Sequence, residues 1–268
     1  MTPLLMVLIA TVLSSAPLAQ ATRNPDDKAA IVQTLLDYAE GYYGGDPARM
    51  TRALSPYLTK RELRQTTLGE MNADTLIEYS HGAKLAPAAR QLTTEVLGVG
   101  AETASARVFS ARFNDYVHLI KRNGAWQILN VLWHAPPPAA SPDQASAVNQ
   151  AVRTFATALT GAGGPEALSL LHPLAHVRVL TRGGQGRPSF VVNQNAEALA
   201  AGLARGAGKL AGAVEDAQVT VEGIDTDVAA ARIVLGATTI HLHLALQEGR
   251  WRVVNMLNWT APPAAASR

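Results

Sequence analysis

The sequence predicts an α+β fold built twice along one chain. Three observations carry that reading. All four tryptophans of the 268-residue chain lie in two matching segments, Gly124 to Trp133 before Pro136-Pro137 and Gly249 to Trp259 before Pro262-Pro263, about 125 positions apart. Each segment is preceded by a helical stripe, the second stripe lying 117 positions after the first. Between stripe and tryptophans run long stretches of alternating apolar residues, the period of a half-buried strand.

The first stretch, Leu4 to Leu13, is uninterrupted and apolar but too short to span a bilayer, and Ala19-Gln20-Ala21 supplies the small-x-small pattern cut by signal peptidase. Residues 1–21 therefore read as a signal peptide, with the mature chain exported to the periplasm or secreted. The chain has no cysteine, so disulfides, thiolate metal sites and a lipid anchor on the new N-terminus are all excluded. The remainder contains no segment apolar enough to predict a membrane span. A formal net charge of +2, with basic residues spread over both halves, argues against a nucleic-acid footprint.

Each copy opens with a stripe at i, i+4, i+7, i+11: Ile31, Leu35, Tyr38 and Tyr42, then Val148, Val152, Phe155 and Leu159. In the first copy Gly45-Asp46-Pro47 signals the start of a second helix, because Asp46 can accept from free amides and Pro47 suits the first helical position. Gly164-Pro165-Glu166 takes that place in the second copy. Each second helix is expected to stop at a proline, at Ser55-Pro56 and His172-Pro173. A short strand and a third helix follow, about Asn72 to Lys84 and Asn195 to Leu210.

Long strands come next. Phe109, Ala111, Phe113, Val117 and Leu119 share one face, interrupted only by Asp115, and Val234, Gly236, Thr238, Ile240, Leu242 and Leu244 take the matching places. The opposite faces carry Arg112, Asn114, Tyr116 and His118, then Ala237, Thr239, His241 and His243. Turns at Asn123-Gly124 and Glu248-Gly249 deliver the tryptophan strand as a hairpin partner. The second pair of tryptophans is spaced eight rather than seven apart, so one extra residue, assigned to Asn258, is expected as a bulge. Helices on one face of a curved antiparallel sheet leave its other face to be covered, and the two sheets are expected to pack back to back. The boundaries read as 26–137 for the first domain, 138–142 for a linker and 143–263 for the second.

At the level of motifs, Asp37-Tyr38-Ala39-Glu40-Gly41-Tyr42-Tyr43 with Gly45-Asp46, then Arg49-Met50 to Pro56, Lys60-Arg61, Asp115-Tyr116-Val117-His118-Leu119 and the Trp126 to Trp133 strand resemble the lumazine-binding family. That family has the nuclear transport factor 2-like cone fold. The resemblance implies two tandem cones of three helices on a curved sheet, joined as an internal pseudo-dimer that a monomeric chain can supply. It also implies a cavity for a small molecule.

The same fold hosts ketosteroid isomerases, and the resemblance places Tyr38 and Asp115 at two of their positions. An aspartic acid held neutral in such a site donates a hydrogen bond to an oxyanion, as in ketosteroid isomerase itself. The third position, a carboxylate base, falls at Arg61, whose guanidinium stays charged and cannot serve as a base. The second copy carries Phe155, Ile240 and Arg178 instead. The expected ligand-binding set is therefore Tyr38, Arg61, Phe113, Asp115, Trp126 and Arg178, with each arginine offering a planar donor fork to a carbonyl or anion. His241, His243, His172 and His176 lack a third ligand at fixed spacing, so no metal and no cofactor are expected. The leading expectation is non-covalent binding of a small apolar or aromatic molecule. An isomerase- or dehydratase-like enzyme using Tyr38 and Asp115, and an envelope scaffold for another protein, are the alternatives.

Overall fold

The computed structural model describes residues 25–64, 67–134, 142–161, 169–184, 187–207 and 209–262. The predicted signal peptide, most of the predicted linker and Gly164-Pro165-Glu166 lie outside them.

In the first repeat α1 (Pro25–Gly44) begins with Asp26 and Asp27, whose charges suit a helix N-terminus. It buries Ile31, Leu35 and Tyr38 as the stripe predicts. The helix ends where Gly45 adopts φ +62°, a left-handed conformation costly for residues with a Cβ. Asp46 then caps α2 (Pro47–Ala53), its carboxylate accepting from the Arg49 amide at 3.1 Å.

Helix α2 stops before the predicted Ser55. Pro56 instead lies inside β1 (Leu54–Arg64), where the register against the neighbouring strand slips between Leu54 and Thr59. An irregularity tolerates the missing amide, so the proline marks a strand defect rather than a helix stop. Pro173 lies the same way inside β7 (Leu171–Thr181). The predicted short strand is a hairpin of β1 with β2 (Thr67–Asn72), and α3 is shorter than expected, Ala73–Ser80. Strands β3 (Thr93–Val99), β4 (Thr103–Phe109), β5 (Asn114–Arg122) and β6 (Ala125–His134) complete the sheet.

The second repeat has α4 (Pro142–Thr160), β7, β8 (Phe190–Asn195), α5 (Ala196–Ala204), β9 (Gln218–Asp225), β10 (Val228–Leu235), β11 (Thr238–Gln247) and β12 (Arg250–Thr260). The two sheets have one topology, β2-β1-β6-β5-β4-β3 and β8-β7-β12-β11-β10-β9. Each is antiparallel except for one pair, β1 with β6 and β7 with β12, which run parallel because the last strand returns alongside the first. The hairpin turns fall where predicted, with positive φ at Asn123 and Gly124 and at Glu248 and Gly249.

The bulge is not at Asn258. His118 pairs with Asn130 and Leu119 with Ile128, leaving Leu129 extra; His243 pairs with Asn255 and Leu244 with Val253, leaving Val254 extra. Both repeats thus carry the same bulge, and Asn258 pairs regularly with Ile240. Asn258 is the counterpart of Trp133, whereas Trp259 points to the other face and packs with Ile120, Leu129, Leu180 and Leu257.

The sheets pack back to back, as expected. Tyr116 and Leu132 of the first meet Val228, Ala230, Ala245 and Val254 of the second. Gly223 allows this approach, since a Cβ there would lie 2.5 Å from the Tyr116 hydroxyl. His118 stacks on His243 with ring centroids 3.6 Å apart, and His241 lies 5.8 Å from His118. All three are fully buried, and burial pushes each below its ordinary value, His241 to about 3.

Arg61 and Arg178 form a reciprocal clasp across this interface. Arg61 donates to the Val254 and Leu174 carbonyls, both at 2.6 Å, and Arg178 donates to the Leu129 carbonyl at 2.7 Å and to Thr59 Oγ1 at 2.6 Å. Each guanidinium therefore holds the bulge carbonyl of the other repeat. The arrangement is self-complementary, as at a twofold dimer interface.

Candidate functional site

Alternation along β1 sorts its two basic residues onto opposite faces. Arg61 pairs across the sheet with Leu132 and then Tyr116, all on the inter-repeat side. Lys60 pairs with Val131 and then Val117, on the side covered by helices. One register step along the same face, Trp133 pairs with Asp115. Helix α1 crosses above and lowers Tyr38 between them.

The three polar groups form a closed ring. The Tyr38 hydroxyl donates to Asp115 Oδ2 at 2.6 Å. Lys60 Nζ donates to both Asp115 oxygens, at 2.8 and 2.7 Å, and to the Tyr38 oxygen at 2.9 Å. Phe113 closes one side with its ring centre 4.9 Å from the ammonium, and Trp133 another at 5.9 Å. Phe113 itself stacks on Tyr43.

Asp115 is completely buried and Lys60 only 7 % exposed. Burial lowers the Lys60 ammonium from its usual range against the pull of Asp115. Burial, reinforced by the Asp115 charge, raises the Tyr38 phenol well above its usual range. With three hydrogen bonds donated to it, Asp115 has the geometry of an acceptor carboxylate, not of the neutral acid the isomerase resemblance implies.

Lys60 also lines a surface cleft of 160 Å³ between the β1–β2 hairpin and α3. Glu62, Gly69, Met71, Thr75 and Tyr79 form its walls and rim. This is about half the lower end of volumes that enclose a drug-sized molecule, and its rim is charged rather than greasy. Tyr38 and Asp115 lie behind the lysine, packed among Phe113, Val117 and the α1 stripe.

Of the six expected ligand-binding residues, the structure brings Tyr38, Phe113 and Asp115 together. Arg61 and Arg178 face the other repeat and are engaged there, so neither aims its donor fork into a cone. Trp126 lies near the far end of α1, its indole donating to Asp27 at 3.0 Å, eleven helical positions and roughly 16 Å from Tyr38. Lys60 and Trp133 complete the cluster and were not among the expected residues. A signal for Lys60 existed: the equivalents of Tyr38, Lys60 and Asp115 are Phe155, Val177 and Ile240, three coordinated changes from polar to apolar, all buried in the second core.

Residues 26–134 match the family model described as "Putative lumazine-binding". The first repeat is similar to that family over this span. That match spans α1 to β6, so it contains the whole Tyr38–Lys60–Asp115 cluster. The chain is two tandem α+β domains of one sheet topology. It is similar to an NTF2-like protein of unknown function from Silicibacter pomeroyi, at 16 % identity over 41 % of this chain and 96 % of that one, TM-score 0.37. It is likewise similar to one from Shewanella baltica, at 23 % identity over 42 % and 95 %, TM-score 0.37. A third, from Methylobacillus flagellatus, shares 22 % identity over 43 % and 96 %, TM-score 0.35. No curated protein matches the chain. Among the described residues no helix is long and apolar enough to cross a membrane, and no group of His, Asp or Glu is placed to hold a metal ion.

Proposed function

We propose that the first repeat binds a small aromatic molecule bearing a carbonyl edge, which enters the cleft beside α3 and meets Lys60. The observation that carries this reading is the asymmetry between the repeats. A buried ion pair is costly to desolvate, and a well-packed apolar replacement is often neutral or stabilising. The second repeat holds that apolar replacement, Phe155, Val177 and Ile240, in the same backbone places. The first repeat keeps the charged version and keeps it beside an opening.

Lys60 supplies a donor, which suits a carbonyl of a pteridine-dione such as the family description names, and Asp115 behind it holds that donor in place. Trp133 and Phe113 offer aromatic surface around the ammonium. On this reading the second repeat buries the back of the first sheet and holds no guest. Export with removal of residues 1–21 is part of the proposal and rests on the N-terminal sequence.

The test is thermal unfolding of the wild type and of a Tyr38→Phe/Lys60→Val/Asp115→Ile variant with lumazine and related heterocycles. A melting temperature raised in the wild type alone supports the reading, since a ligand that binds only the folded state stabilises it. Equal shifts in both proteins, or none in either, would refute it. Turnover of a ketone that is lost in Asp115→Asn would move the assignment to the isomerase-like enzyme.

A further inference from the structure

We propose that Lys60 is a carbonyl-capturing nucleophile, forming an imine with a small aldehyde or ketone that enters the cleft. This deepens the binding reading above and rests on it. A lysine amine becomes a nucleophile when it is desolvated and has a neighbour to take its proton. Lys60 meets both conditions and is one of the residues lining an opening. Its direction of pKa shift agrees, burial favouring the free amine.

The neighbours supply each proton the reaction needs. Asp115, at 2.7 and 2.8 Å, takes one proton from the ammonium. The freed lone pair attacks the carbonyl carbon, a C–N bond forms, and the C=O π pair moves to oxygen. The Tyr38 hydroxyl, 2.9 Å from Nζ, gives that oxygen a proton and recovers one from the now cationic nitrogen. The Asp115 proton then passes to the carbinolamine hydroxyl, which leaves as water while the nitrogen lone pair closes the C=N bond. One water is released, and the cationic imine is left facing a carboxylate that has regained its charge. The small cleft limits the captured group to a short or flat molecule.

The second repeat provides the internal contrast. Its Val177 occupies the place of Lys60, and Phe155 and Ile240 stand where Tyr38 and Asp115 would supply and take protons. The remaining lysines lack the cluster too: Lys28, Lys84 and Lys209 are exposed, and Lys121 is paired with Asp27 at the far end of α1.

The test is reductive trapping of the full chain with propanal and cyanoborohydride, followed by peptide mass mapping. Lys60 should gain the mass of one propyl group before any of the exposed lysines. Tyr38→Phe should slow that labelling, and Lys60→Met should abolish it at this peptide while labelling elsewhere continues. The Tyr38→Phe/Lys60→Val/Asp115→Ile variant keeps the comparison valid if Lys60→Met does not fold. Labelling confined to Lys28, Lys84 and Lys209 would overturn the proposal. If a heterocycle still raises the melting temperature in that case, non-covalent binding stands and only the covalent step falls; if none does, both fall.

Discussion

Removing Lys60 alone should destabilise the protein more than removing the whole polar cluster. In Lys60→Met the ammonium that gives three hydrogen bonds of 2.7–2.9 Å is lost, and a completely buried Asp115 keeps only the bond from Tyr38. Breaking a buried pair from one side costs about 3–5 kcal/mol, because the remaining charge stays out of water. For a chain of this length unfolding as one unit each kcal/mol moves the melting temperature by about 2–4 °C, so a drop of roughly 10 °C is expected. The triple change Tyr38→Phe/Lys60→Val/Asp115→Ile removes both charges and installs the trio that the second repeat already packs around fully buried Phe155 and Ile240. Its cost should lie within about 1 kcal/mol of the wild type, far from the sum of the single changes, since residues in one network do not add. Urea and calorimetric unfolding of the wild type, the three single variants and the triple variant give the comparison. A Lys60→Met protein as stable as the wild type, or a triple variant as damaged as the summed singles, would refute the claim that this pair is retained at a cost.

Other outcomes follow from the interface. Arg61→Met should cost about 3 kcal/mol, since it strands the Val254 and Leu174 carbonyls, yet leave ligand-induced stabilisation unchanged. A lost ligand response in a folded Arg61→Met protein would return the arginine to the binding site. Stability should be level above about pH 6.5 and fall below it, because the unfolded chain protonates histidine there while His118, His241 and His243 are held neutral in the fold. Each should contribute a loss of about 2 kcal/mol between pH 7 and pH 5, continuing toward about pH 3 for His241; a urea midpoint that does not move over that interval would contradict the assignment. Residues 25–134 expressed alone expose the Tyr116–Leu132 face and should dimerise or aggregate, which sedimentation can measure. A stable monomer would show that the second repeat is not needed to cover it.

The duplication, the α1 and α4 stripes, the hairpin turns and the back-to-back sheets were all legible, because each depends on a local period or on positive-φ residues at a turn. The misplacement of Arg61 turns on parity along a strand. Pro56 has the local signature of a helix stop but lies inside β1, so the parity of the residues after it is set by pairing with β6. Arg61 then looked like a cavity residue because it matched Arg178, whereas that match reflects their shared contact with the opposite bulge. Nothing in the Lys60-Arg61 motif marks the lysine as a buried residue, since lysines are ordinarily solvated. The bulge could not be located from the tryptophan spacing, since Trp133 and Trp259 are not equivalent and both repeats bulge at the same earlier place. Comparing the copies residue by residue on one face would have exposed the Tyr38, Lys60 and Asp115 exchanges together.

Native mass spectrometry of the full chain with a stabilising heterocycle, beside the triple variant, tests most directly whether the charged cluster makes the first repeat the binding half. One ligand per chain on the wild type, located in residues 25–134 by fragmentation and lost in the triple variant, is the predicted result. Two ligands per chain, or one that persists after all three polar side chains have been replaced, would contradict it.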